Sequence, residues 1–462
     1  MKTEFLRKDH GNRRLLLIFA GWGSAASFYD DLTGIIPSGW DVAAAYDYND
    51  FIFPADSLAG YDTVYLLAWS LGVAAAEASL PHNLITAAFA VNGTGCPVHD
   101  SLGIPPAIFK GTAESLDLRN LEKFRRRMTG SRDMYDRIAS RLYPDADIEN
   151  LRDQLYRFLD ISSIGPRLPW KRAYCADNDR IFPISSQLAF WKMTDNVEIC
   201  RVEGDHYIEL SSVISQIIPD LDTIGRRFHD ALASYDTHAS AQHAIAARLA
   251  QMLSLSKGGR VLEIGPGSGL LTRLYADRIC PDEAWFVDLY PLPEFGIAAT
   301  EHYVTGDAEQ WIASSAIGFD YILSSSAIQW FANPETFLAN AASRLNPGGI
   351  IALSSFLPGN LSELDYMRPA PLLYPSDTKL REWMENYFSD VRIETGEIRL
   401  RFHSPREALL HLKLTGVGGN RCRRMSSSDL RRLADGPDGH CTLTFRPVYL
   451  SGKKPSPAIA ID

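Results

Sequence analysis

Cysteine is scarce: six occur in 462 residues, at positions 96, 175, 200, 280, 422 and 441, and no two form a Cys-x-x-Cys pair. A scattered set in so long a chain excludes a disulfide-stapled scaffold and a zinc finger, so reduced thiols and no metal are expected. Long apolar runs are also lacking. No stretch of some eighteen uncharged apolar residues occurs, and the opening MKTEFLRKDHGNRR carries no apolar segment. Neither a membrane span nor a secretory leader is therefore expected, which places the chain in the cytoplasm. Positive charge is in deficit, with 46 Lys and Arg against 56 Asp and Glu and a net charge of −10. That balance argues against general nucleic-acid binding.

What is present is ample core material, 46% hydrophobic residues with 22% charged. The length exceeds what one core serves, so two domains are expected. Local basic runs stand against the acidic balance: Arg125, Arg126 and Arg127 with Lys110 and Lys123, then Arg226-Arg227, then Arg421-Cys422-Arg423-Arg424. Local fields steer encounter, so these are candidate contacts for an acidic partner, with solvated helix faces as the plainer reading.

In the N-terminal half, Leu15 to Ala20 (LLLIFA) is a short apolar run ending in Gly21-Trp22-Gly23, the pattern of a buried strand entering a tight loop. A second strand, Asp62 to Ala68, meets Trp69-Ser70-Leu71-Gly72 and then the helix-forming VAAAEA from Val73 to Ala78. This strand, turn and helix with a serine at the apex resembles the nucleophile elbow of α/β-hydrolases, with Ala68 in place of the usual first glycine. Arg172 to Ala176 reads as a strand followed by an acidic loop in which Asp179 is the candidate acid, Asp177 being an alternative. Asn196 to Val202 reads as a further strand, with His206 in the loop after it and Asp205 beside it as another alternative acid. Ser70, Asp179 and His206 thus fall in the chain order that such hydrolases use. Leu71 and Trp22 are the candidate oxyanion donors through their backbone N–H groups, and the Trp22 indole is placed to wall an acyl channel. Between Pro105 and Pro169 the sequence turns charged and helix-compatible, the pattern of a small helical cap.

A new pattern begins near 215 to 225, and the domains are drawn at 1–217 and 218–462. Arg260 to Gly269 (RVLEIGPGSG) is a strand ending in Glu263-x-Gly265-x-Gly267-x-Gly269 ahead of a helix. Glycines there let a ligand approach the backbone closely. The spacing G-x-G-x-G with an acid at the strand end resembles motif I of class I methyltransferases rather than the G-x-G-x-x-G of dinucleotide folds. Asp288 ends a second strand, where an acid would accept ribose hydroxyls, and Gly306-Asp307-Ala308 follows a third, where the family it resembles uses an Asp near the adenine amine. Gly318 to Ser324 is a fourth strand, and Leu345 to Ser354 reads as a helix end, a Pro-Gly-Gly turn and a fifth strand. Tyr235 and Gln329 are the candidates nearest the methyl acceptor.

The two halves together resemble two biotin-pathway families. FAGWG (Phe19 to Gly23), YDY (Tyr46 to Tyr48), AWSLG (Ala68 to Gly72), VNGTG (Val91 to Gly95) and EGDHY (Glu203 to Tyr207) are similar to pimeloyl-[acyl-carrier-protein] methyl ester esterases. SYDTHASAQ (Ser234 to Gln242), LEIGPGSGLLT (Leu262 to Thr272), SSSAIQW (Ser324 to Trp330) and LKLTG (Leu412 to Gly416) are similar to malonyl-[acyl-carrier-protein] O-methyltransferases. Departures are Pro266, Ser268-Gly269 for the usual Thr-Gly, and the Leu289-Tyr-Pro-Leu-Pro293 segment. The resemblance implies an α/β-hydrolase domain with a small helical cap followed by a class I, Rossmann-like methyltransferase domain. It implies S-adenosyl-L-methionine as co-substrate and no metal. The implied partner is an acyl carrier protein bearing malonyl and pimeloyl methyl ester groups, without nucleic acid or membrane. A generic esterase or a carrier-docking module in the first half, and a methyltransferase of another small acid in the second, fit the same residues.

Overall fold

Seven strands, β1 (Lys2–Arg7), β2 (Arg14–Phe19), β3 (Trp40–Tyr46), β4 (Thr63–Trp69), β5 (Ala87–Val91), β6 (Trp170–Ala176) and β7 (Glu198–Val202), form the first sheet, in the order β1-β3-β2-β4-β5-β6-β7. The structure, a computed structural model, describes residues 1–142, 147–161, 165–193, 197–253, 256–367, 372–416, 427–434 and 439–456. The basic run 421–424, with Cys422, and Asn196 lie outside the described residues. The chain divides into two compact units, Met1–Ser215 and Gln216–Asp462.

In the first unit only β1 runs antiparallel, against β3, and the other pairings are parallel. Parallel strands are covered on both faces, which is why all six residues of β2 are buried. The chain passes from β2 to β3 on one side and to β4 on the other, so the order reverses there and opens a crevice at the strand ends. Helices Pro106–Glu114, Leu118–Thr129, Arg132–Ile138 and Ile148–Leu159 fill the connection from β5 to β6. The last buries Leu151, Gln154, Leu155 and Phe158 on one stripe, and Asp147 caps its start by accepting the Asn150 N–H.

The second unit contains β8 (Arg260–Ile264), β9 (Glu283–Asp288), β10 (Thr300–Thr305), β11 (Phe319–Ser325), β12 (Leu345–Phe356), β13 (Ser389–Thr395), β14 (Ile398–Phe402), β15 (Cys441–Phe445) and β16 (Pro447–Lys453). Its main sheet runs β10-β9-β8-β11-β12-β16-β13, with β16 antiparallel to both neighbours, and β14 and β15 pair separately. One apolar cluster, including Ile245, Leu249, Leu271 and Tyr275, and a second, including Ile312, Phe337 and Leu338, cover the sheet with helices. This is a Rossmann-like α/β arrangement. The Pro347-Gly348-Gly349 segment is a bulge inside β12 rather than a turn before it. Leu345 already pairs with Phe319, and pairing resumes at Ile350 opposite Tyr321, while Gly348 takes φ +78°. Among the described residues no helix is long and apolar enough to cross a membrane.

Candidate functional site

β4 delivers Ser70 at φ +58°, ψ −129°, directly before helix Leu71–Ser79. A left-handed serine is strained, and close packing holds it there. A Cβ on Gly72 would lie 2.4 Å from the Phe19 carbonyl oxygen, so the helix can meet β2 this closely only with glycine. The Ser70 N–H donates to the Val91 carbonyl at 2.9 Å.

Ser70 Oγ stands 2.8 Å from His206 Nε2, and His206 Nδ1 lies 2.9 and 3.0 Å from the two carboxylate oxygens of Asp179. With Nδ1–H donating to the carboxylate, Nε2 is the acceptor facing the serine hydroxyl. Asp179 also accepts the N–H groups of Ile181 and Phe182, both at 2.8 Å, and the Gln187 amide at 3.0 Å. All three side chains are buried. The alternative acids are engaged elsewhere: Asp177 pairs with Arg201 at 2.6 Å and Asp205 accepts the Asn178 amide at 2.7 Å.

Leu71 opens its helix, so its N–H has no partner one turn earlier. Trp22 is buried beyond β2, and its indole Nε1 donates to the Leu151 carbonyl at 3.0 Å while its ring meets Phe124 edge-on at 5.2 Å. Two helices of the inserted segment are thereby tied to the loop after β2. Among the basic candidates, Lys110, Arg126 and Arg127 are exposed. Arg126 pairs with Glu122 at 2.8 Å and lies 4.2 Å over the Tyr135 ring. Helical periodicity turns Arg125 inward, where its guanidinium donates to the Leu142 carbonyl at 3.4 Å and burial lowers its pKa.

In the second unit Gly265, Gly267 and Gly269 adopt φ of +63°, +54° and +84°. Their requirements differ. A Cβ on Gly265 would lie 2.6 Å from Ala327 Cβ and one on Gly269 would lie 2.7 Å from the Phe295 ring, whereas one on Gly267 would meet nothing within 4 Å. All but Gly269 line a cavity of about 1150 Å³, part of it open to solvent, with Glu263, Asp288, Asp307, Ala308 and Tyr235. Glu263 accepts hydrogen bonds from Thr272 Oγ1 at 2.6 Å and Tyr275 Oη at 2.8 Å, and burial pushes its carboxyl up to about 7. Asp288 accepts the Gly267 N–H at 3.2 Å, and burial raises its pKa too. Asp307 caps helix Ala308–Ser314 by accepting the Glu309 N–H at 2.9 Å.

Gln329 is not part of the cavity wall; its amide donates to the Ser326 carbonyl at 2.5 Å, and Ser326 and Trp330 line the cavity instead. The unusual segment after Asp288 also lines it, with the Tyr290 ring stacked on His229 at 5.5 Å. Three polar atoms of lining residues, Gln242 Oε1, Ser326 Oγ and Trp330 Nε1, are buried without a hydrogen-bond partner among the described residues. Unsatisfied atoms in a cavity wall suit a polar ligand.

A family profile described as "Pimeloyl-ACP methyl esterase BioG" matches residues 1–214, and one described as "Methyltransferase domain" matches residues 236–392. The chain is 32% identical to a malonyl-[acyl-carrier protein] O-methyltransferase of Bacteroides fragilis, over 96% of this chain and 93% of that one. It is 36% identical to a protein of the same name from Porphyromonas gingivalis, over 51% of this chain and 96% of the relative. Among solved structures, BioG from Haemophilus influenzae is 34% identical with a TM-score of 0.39, covering 45% of this chain and 94% of its own.

Proposed function

The chain belongs to the family of the Bacteroides fragilis malonyl-[acyl-carrier protein] O-methyltransferase, with a BioG-type domain ahead of a methyltransferase domain, and on that premise we propose a bifunctional enzyme of biotin synthesis. The second unit methylates the free carboxylate of malonyl-[acyl-carrier protein]. The first, an α/β-hydrolase with a helical cap, hydrolyses pimeloyl-[acyl-carrier protein] methyl ester to the free acid and methanol. The observation that carries the hydrolytic half is the buried hydrogen-bond chain from Ser70 Oγ through His206 to Asp179.

In that half, His206 Nε2 takes the hydroxyl proton as Ser70 Oγ attacks the ester carbonyl, and Asp179 holds the imidazole and stabilises its charged form. The backbone N–H groups of Leu71 and Trp22 hold the oxyanion. Collapse breaks the bond to methoxide, which leaves as methanol with the proton from His206. A water deprotonated by His206 then attacks the acyl-Ser70 ester, the acyl–Oγ bond breaks with His206 returning the proton to Ser70 Oγ, and the pimeloyl carboxylic acid is released.

In the second half, S-adenosyl-L-methionine supplies an electrophilic methyl group when bound. Asp288 would accept the ribose hydroxyls, Asp307 and Ala308 would border the adenine, and the open side of Gly267 would admit the amino-acid portion. Glu263, bonded to Thr272 and Tyr275, ties the glycine turn to the following helix. Tyr235 lines the cavity. A carboxylate acceptor is already ionised at neutral pH, so no general base is needed and positioning is the main contribution.

The two reactions have one physical logic. A free carboxylate buried unpaired in an apolar elongation channel costs several kcal/mol or more. Methylation removes that charge, and hydrolysis restores it once the chain is complete. Exposed Lys110, Arg126 and Arg127 are the carrier-protein contacts in this reading, meeting an acidic partner.

The test is methyl transfer from labelled S-adenosyl-L-methionine to malonyl-carrier protein, followed by hydrolysis of pimeloyl-carrier-protein methyl ester, in the native chain and in Ser70→Ala. The expected result is unchanged methylation and a loss of hydrolysis on the order of 10³-fold or more in the variant. Hydrolysis that survives the substitution removes Ser70 from the mechanism, and silence on both carrier-bound substrates removes the pathway.

A further inference from the structure

β5 ends at Val91, and the next two residues stand where the three reacting loops of the first unit meet. Asn92 is left-handed, φ +48°, and only 1% exposed. Both polar atoms of its amide are engaged. Oδ1 accepts the Ala176 N–H at 2.7 Å, and Nδ2 donates to the carbonyls of His206 at 2.9 Å and Asp205 at 3.2 Å. The Asn92 backbone N–H donates to the Tyr174 carbonyl at 2.9 Å, extending the pairing of β5 with β6. On one side of it the Val91 carbonyl takes the Ser70 N–H at 2.9 Å. On the other, Gly93 passes so close that a Cβ there would lie 2.2 Å from the Ser70 carbonyl oxygen.

One buried turn is therefore bonded to the serine, to the strand end three residues ahead of Asp179, and to the histidine peptide itself. The His206 carbonyl takes a second buried donor, Trp69 Nε1, at 3.1 Å. With both donors in place the peptide that carries the imidazole cannot rotate without leaving buried groups unpaired, which is costly. The residue type follows from the arrangement. An acceptor and two donors on one short side chain describe an amide, and asparagine is among the non-glycine residues that best tolerate a left-handed backbone. Aspartate would keep the acceptor and lose the donors.

We propose that Asn92 is a positioning residue of the esterase reaction, setting His206 against Ser70 through its amide while touching no reacting atom. The inference rests on the esterase reading above.

Two variants isolate the amide. Asn92→Gly keeps the left-handed backbone without steric cost and deletes the side chain. Asn92→Asp keeps an acceptor for Ala176 and removes both donors to the carbonyls. The readouts are kcat and KM on pimeloyl-carrier-protein methyl ester, the rate of covalent labelling by a fluorophosphonate, and methyl transfer by the same chain as an internal measure of intact protein. Misplacing a reacting group by about 1 Å costs roughly 100-fold, so kcat and labelling rate are expected to fall on the order of 10- to 100-fold in both variants. KM and methyl transfer are expected to stay within about threefold of native. Native kcat and labelling in Asn92→Gly would overturn the proposal, as would a loss expressed only in KM, or one that disappears well below the variant's melting midpoint. A native chain that neither takes the label nor hydrolyses the ester would overturn the esterase reading and this inference with it.

Discussion

Glu263 is a carboxyl with no ion pair at hydrogen-bond distance among the described residues, held by two hydroxyls and buried at the end of β8. Its pKa near 7 lies above the ordinary 4.5. As pH rises from 4.5 the unfolded chain releases this proton first, while the native site keeps it. Native stability therefore falls across the window from 4.5 to about 7 and levels above it. Glu263→Gln keeps an acceptor for Thr272 and Tyr275 but cannot ionise. Melting curves from pH 5 to 8 should show the variant gaining on the native chain, by on the order of 2 kcal/mol at the alkaline end; a gap that does not change with pH would refute the assignment. Legibility at this scale depended on distance in sequence. Ser70, Asp179 and His206 each follow a recognisable strand, so their order alone suggested a common site. Gln187 carries no such local sign, and the VNGTG motif marks Asn92 without giving it a role, because what defines the two residues is contact with a carboxylate eight residues away and a carbonyl 114 residues away. Gln329 lies off the cavity wall for a related reason, since the turn directs its amide back to Ser326 and brings the neighbouring Trp330 to the cavity.

At the scale of elements, the strands bounded by turns and motifs were readable and the alanine-rich ones were not. β3 (WDVAAAY) and β5 (AAFAV) have helix-favouring composition, and burial between helical layers makes them strands instead. The bulge in β12 was equally hidden, because Pro-Gly-Gly reads as a turn wherever it occurs. Glycines separate two kinds of turn. Gly72 is required by packing against β2, where a Cβ would meet backbone atoms of Phe19 and Ala20 that cannot move aside. Gly72→Ala should destabilise the first unit by about 1–3 kcal/mol. Gly267 has open space around its missing Cβ, so alanine there meets only the cost of a left-handed backbone, roughly 1–2 kcal/mol. Its methyl would project toward the cavity, and affinity for S-adenosyl-L-methionine should fall about tenfold or more, equivalent to roughly 1.4 kcal/mol. Calorimetric binding alongside melting distinguishes the two. Equal binding in the Gly267 variant and the native chain would mean that no ligand approaches that turn.

For the whole molecule, each unit has its own sheet and its own buried residues, and the division falls at 215/216, inside helix Leu210–Ile217. Units of this size with separate cores are expected to unfold as separate cooperative transitions. The proposed functions make those transitions distinguishable. S-adenosyl-L-homocysteine, lacking the reactive methyl, binds only the cavity lined by Gly267 and Asp288 in this reading, and a ligand stabilises only the folded state that holds it. At 100 times its dissociation constant the stabilisation is about 2.7 kcal/mol. In a unit of this length that amounts to a rise of roughly 5–10 °C in one transition, with the other unmoved. Fluorophosphonate on Ser70 should act on the complementary transition alone. Scanning calorimetry of the native chain, then of chains spanning 1–215 and 216–462, tests this directly. A single transition that shifts as a whole with either ligand would show the units to be energetically coupled, and the two activities would then have to be treated as one cooperative machine.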